Sequence, residues 1–192
     1  MDGFFRWYRS RSTERDLLRQ IAEFSKHAIE IEHPVLRKAV LLNIDGDQVL
    51  VDPDEAVRLA CMHLGSLNLE WWLSADVDLT CEFSAVPLEC EIQTYYFSGL
   101  TNVQRAAVGR MLLEYVDKCA AETVGYILDE DGRSEEFDWN GLVLYGRGSD
   151  FSFPNTVVMP KESWAHLGGM LESASVREVG DKLLRADRIR LG

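Results

Sequence analysis

Residues 67–97 read LNLEWWLSADVDLTCEFSAVPLECEIQTYYF, and three consecutive β-strands can be traced through them, about Leu67 to Leu73, Val77 to Ala85 and Leu88 to Phe97. In the middle run Val77, Leu79, Cys81, Phe83 and Ala85 alternate with Asp78, Thr80, Glu82 and Ser84. Strand side chains repeat every two residues, so the first set marks a core face and the second a wet, acidic one. In the first run Trp71 shares a face with Leu69 and Leu73, which leaves Glu70 and Trp72 on the wet side. A two-residue loop at Val86-Pro87 sets Ala85 against Leu88, Cys90 against Phe83, Ile92 against Cys81 and Glu91 against Glu82. Like charges directly across a strand pair cost a few tenths of a kcal/mol up to ~1. That register gathers Asp78, Glu82, Glu89 and Glu91 on one face without a nearby lysine.

The charge distribution sharpens this reading. The chain carries a formal net charge of −12, and Asp45 to Ser98 holds 11 acidic residues against one basic residue, Arg58. A field of that sign repels nucleic acid and anionic membrane and attracts cations or basic proteins. With 192 residues, 46% of them apolar and 27% charged, the chain suits one well-buried domain. No apolar run reaches the ~20 residues of a membrane span. The N-terminal residues have no apolar stretch of a secretory signal, which points to the cytoplasm. Cys61, Cys81, Cys90 and Cys119 lack metal-ligand spacing and read as buried free thiols; a Cys81–Cys90 disulfide needs both to face inward on paired strands.

Working outward, residues 1–11 mix aromatics with arginines and are expected to pack across the domain. Thr13 and Asp16 open a first helix carrying Leu17, Leu18, Ile21, Phe24 and Ala28. Asp45-Gly46 marks a two-residue hairpin turn, of the type with positive φ at both positions, between Val35–Ile44 and Gln48–Val51. Asp52-Pro53 starts a second helix, and Thr101-Asn102-Val103-Gln104 is a capping box opening a third, long one. Val124 to Leu128 reads as a strand. The Asp129-Glu130-Asp131-Gly132 turn lacks the glycine position of a calcium loop, and Gly146-Arg147-Gly148-Ser149 lacks phosphate-loop context. Phe151 to Met159 reads as a strand, Glu162 to Leu171 as a helix, and Ser175 with Glu178 as the cap of a final helix bearing Val176, Val179, Leu183 and Leu184. The fold expected is a single α+β domain over 1–192: a mainly antiparallel sheet of about five to six strands with helices packed on one face.

Chemistry is sparse. There is no Gly-x-Ser-x-Gly elbow, and no cysteine of the central strands has a histidine nearby in sequence. Phosphate chemistry on Asp78, Glu82 and Glu91 lacks the usual Lys or Arg. A metal-dependent or carboxylate-pair hydrolase using the acidic residues is the alternative reading. The leading expectation is a protein without cofactor or metal that binds and neutralises or shelters a basic protein, such as a toxin's immunity protein or a dedicated chaperone. Glu70, Asp78, Glu82, Glu89 and Glu91 would steer the partner, and Trp72, Tyr95 and Trp139 would anchor it.

Overall fold

The computed structural model describes residues 3–148, 152–164 and 174–189. The aromatic N-terminal segment is not a strap across the domain but its central strand, β1 (Phe4–Ser10), hydrogen-bonded to β6 (Cys90–Tyr96) on one side and β7 (Thr123–Asp129) on the other. Its composition explains the position. Phe5 and Trp7 enter one core and Phe4 and Tyr8 a second, so both faces of the strand are buried, as only an inner strand allows.

On one side of this centre the sheet continues through β5 (Val77–Val86), β4 (Ser66–Ser74), β2 (Ala39–Leu42) and β3 (Gln48–Val51). On the other it continues through β8 (Thr156–Pro160), β10 (Leu183–Arg188) and β9 (Ala174–Val179). The sheet is therefore one open, ten-stranded antiparallel array in the order β3-β2-β4-β5-β6-β1-β7-β8-β10-β9, not one of five to six strands. Part of the shortfall lies in Ser175 to Leu184, expected as a helix. Its capping pattern is overridden by a β9–β10 hairpin that turns through Gly180 at φ +60°. Of the helix expected over Glu162–Leu171, α5 (Lys161–Trp164) is seen and 165–171 lies outside the described residues.

The helices also occupy both faces rather than one. α1 (Glu14–Ser25), α2 (Pro53–Ala60) and α3 (Asn102–Lys118) cover the face carrying Phe5, Trp7, Leu69, Trp71, Leu79, Cys81 and Tyr95. α4 (Trp139–Tyr145) and α5 cover the opposite face only over the second half of the sheet, against Phe4, Tyr8, Ile127, Val157 and Met159. The capping boxes at Thr13 and Thr101 form as the sequence predicts, each side chain accepting from the N3 amide while the N3 side chain accepts from the cap amide. Asp52 differs: Pro53 begins the helix, but the Asp52 carboxylate accepts from Lys38 at 2.6 Å instead of capping.

The β5–β6 register decides where the acids go. A two-residue loop at Val86-Pro87 would need a positive φ at Val86 or Pro87, which a β-branched residue and a proline ring both resist. The chain instead uses Pro87-Leu88-Glu89, with Leu88 at φ +68° and Glu89 at φ +54°, and pairs Val86 with Cys90. Glu91 then lies opposite Ala85, three positions from Glu82. An odd shift turns every side chain of β6 to the other face.

Candidate functional site

The register separates the carboxylates expected to act together. Glu91 turns into the first core, where it is 1% exposed. There it accepts from the Ser12 amide at 3.0 Å, the Ser12 hydroxyl at 2.7 Å and Gln93 Nε2 at 2.7 Å, with His63 Nδ1 at 3.4 Å. His63 Nε2 faces the Ser12 carbonyl at 3.1 Å, so the imidazole clamps the α2–β4 turn to the β1–α1 junction. Tyr95 is buried beside them, donating to Gln93 Oε1 at 2.8 Å and receiving a hydrogen bond from Gln20. Tyr95 is therefore no surface anchor. Neither is Trp139, which is buried in the second core and donates to the Ser134 carbonyl at 3.1 Å.

A cavity of about 200 Å³ opens beside this knot, lined by Leu59, His63, Leu67, Phe83 and Glu91 among others. Cys61 is near, but burial and then the charge of Glu91 push its thiol up to about 11, the opposite of nucleophile activation. Cys81 and Cys90 lie on opposite faces of the sheet, so the conceivable disulfide between them has no geometry, and the four cysteines are free. Among the described residues, no group of three or more His, Cys, Asp or Glu side chains is placed to hold a metal ion.

Two further acids are compensated from within the chain. Glu89, at the loop tip, pairs with Arg11 at 3.0 Å. Glu82 stays on the open face; burial opposes its charge, but hydroxyl donors from Tyr96, Ser66 and Ser84 and the nearby Arg6 outweigh it and hold the carboxyl below its usual range. The N-terminal arginines thus supply cations to part of the surface expected to be bare.

What remains is Glu70, Trp72 and Asp78 on the face of β4–β5 that α4 and α5 do not reach. Trp72 and Asp78 are cross-strand partners. Trp72, expected as a surface anchor, is 6% exposed because the chain at 30–33 folds over it: Glu30 bridges its backbone, and the His33 ring meets its indole edge-on at 4.2 Å, so it too packs inside the fold. Glu70 is 5% exposed and has, among the described residues, a single weak donor, Gln48 Nε2 at 3.5 Å. Desolvation, reinforced by the charge of Asp78, pushes its carboxyl up to about 7. No ion pair among the described residues includes Glu70 or Asp78. This pair was legible in the strand alternation; the buried Ser12–His63–Glu91 clamp was not, because its members are far apart in sequence.

No protein-family model, curated protein or solved structure matches this chain. A functional reading therefore rests on the geometry.

Proposed function

We propose that this protein binds a basic protein and neutralises or shelters it, in the manner of a dedicated inhibitor or chaperone, through the side of β4–β5 that α4 and α5 do not reach. The observation carrying this reading is Glu70: a nearly buried carboxyl beside Asp78, short of donors, whose ionisation is held back to about pH 7. An arriving ammonium or guanidinium supplies the missing counter-charge and ionises the group, so cation binding releases a proton from this site. The formal charge of −12 adds long-range attraction that speeds encounter. Glu82 contributes to the field, while Glu91, Tyr95 and Trp139 act inside the fold.

The test compares two variants of equal net charge against lysozyme as a cationic probe. Glu70→Gln with Asp78→Asn removes the proposed contact; Glu135→Gln with Glu136→Gln removes two acids from the β7–α4 connection. The first is expected to weaken binding at least about tenfold more than the second, with a steep loss of association rate as salt rises. Equal weakening by the two variants would reduce the effect to net charge and remove the site.

A further inference from the structure

The sheet ends at β3, and no described residue pairs with its outer edge. Among the described residues β3 pairs only with β2, through Ala39–Val51, Val40–Leu50, Leu41–Val49 and Leu42–Gln48. The hairpin closes with the Asn43 amide donating to the Asp47 carbonyl at 3.0 Å, so three residues, Ile44 to Gly46, make the turn instead of the expected two, with positive φ at Gly46 and not at Asp45. Hydrogen-bonded and non-hydrogen-bonded pairs alternate along an antiparallel ladder, so Val49 and Val51 bond inward while Gln48 and Leu50 direct their N–H and C=O groups outward. Ile44, Val49 and Leu50 are exposed along the same edge, Ile44 completely.

Edge strands are ordinarily kept very short or blunted by charged side chains, above all lysine, by proline or by a bulge. β3 is short, at four residues, but from Asn43 to Val51 the edge carries no lysine, proline or bulge. Its charges are Asp45 and Asp47 at one end and, just beyond the other, Asp54 together with Asp52, which is already paired with Lys38. Two copies pairing antiparallel through β3 would set the aspartates of one end against those of the other, so the charge pattern selects against self-association. It favours a strand with basic side chains. Gln48 and Leu50 also lie on the Glu70 face, because Leu50 opposes Val40 and Gln48 reaches the Glu70 carboxylate.

We infer that an extended lysine- or arginine-rich segment of the basic partner adds to β3 as an eleventh strand, its backbone bonded to Gln48 and Leu50 and its cations directed to the flanking aspartates and toward Glu70. This inference rests on the reading proposed above and specifies its geometry.

The experiment uses a synthetic peptide of about eight residues alternating lysine and valine, long enough to pair with β3 and reach its flanks. It is compared with the same peptide N-methylated at alternate residues. The protein side uses Leu50→Pro: the Leu50 amide points away from β2, so proline there leaves the β2–β3 ladder intact and removes the donor offered to the partner. The unmethylated peptide is expected to bind, to slow hydrogen exchange at the Gln48 and Leu50 amides, and to lose at least about tenfold in affinity when either change is made. The methylated peptide keeps the test valid should Leu50→Pro disturb folding. Binding that is salt-sensitive but indifferent to methylation and to Leu50→Pro overturns strand addition and leaves the acidic-face reading standing. Failure of both this peptide and lysozyme to bind overturns both. A dimer of the free protein that Leu50→Pro dissolves assigns the edge to a second copy instead.

Discussion

Glu91 and Glu70 stand two strands apart on opposite faces of one sheet, and they are almost equally hidden, 1% and 5% exposed. Their environments could hardly differ more. Glu91 receives an amide, a hydroxyl and a side-chain amide, with an imidazole alongside; among the described residues Glu70 receives one bond, at the limit of reach, and feels the charge of Asp78. Burial alone does not decide what a carboxylate does. The supply of donors decides: a saturated carboxylate is a structural tie, and an undersupplied one holds free energy that a cationic ligand can release.

The comparison breaks most visibly at Glu91. Glu91→Ala leaves the Ser12 amide and hydroxyl, Gln93 and His63 without their common acceptor, and is expected to cost about 3–5 kcal/mol, read as a fall in urea midpoint at unchanged slope. An effect below about 1 kcal/mol would mean that the knot does not hold the β1–α1 junction.

At Glu70 the sign reverses. The folded protein keeps a proton on this group up to about pH 7, while the unfolded chain releases it near about pH 4.3, so the wild type loses stability as pH rises through that window. The advantage of Glu70→Gln over wild type is expected to grow by about 2 kcal/mol between pH 5 and pH 8, measured by denaturation at the two values. A wild-type stability that does not fall over this range, relative to Glu70→Gln, would place Glu70 among the satisfied carboxylates.

Glu82 lies between these extremes. Its folded ionisation is held low, so the stabilisation it provides is present above its unfolded range and lost as pH falls below about 4. Glu82→Gln is expected to cost on the order of 1 kcal/mol at neutral pH and to flatten the acid limb of the stability curve. The smallest effect belongs to the loop-tip pair. Arg11→Ala breaks an ion pair whose Glu89 side chain is 84% exposed, and should change the melting midpoint by no more than about 0.5 kcal/mol equivalent.

How much of this could be read in advance depended on distance along the chain. The alternation at Val77–Ala85 correctly placed Leu79, Cys81 and Phe83 in the core, and it put Glu70 with Trp72 and Asp78 on the other face. The position of Glu91 was misjudged through one loop. Proline at 87 already argued against the two-residue turn, but only the pairing of Val86 with Cys90 shows that three residues cross the gap. Ser175 to Leu184 erred in the other direction: a helix-capping pattern is a local preference, and pairing with β8 overrides it.

By itself the amino-acid sequence determined what short-range forces control: the two capping boxes, the proline-led start of α2, the turn around Gly46, and the excess of acid between Asp45 and Ser98. Those features involve partners within a few residues, whose energies do not depend on the rest of the chain. Only the tertiary structure decided that Phe4–Ser10 would lie at the centre of ten strands, that β6 would turn Glu91 inward, and that β3 would be the last strand of the sheet. Strand order and register are chosen among apolar segments of similar affinity by how completely both faces are covered at once, and that quantity has no value until the whole sheet is assembled.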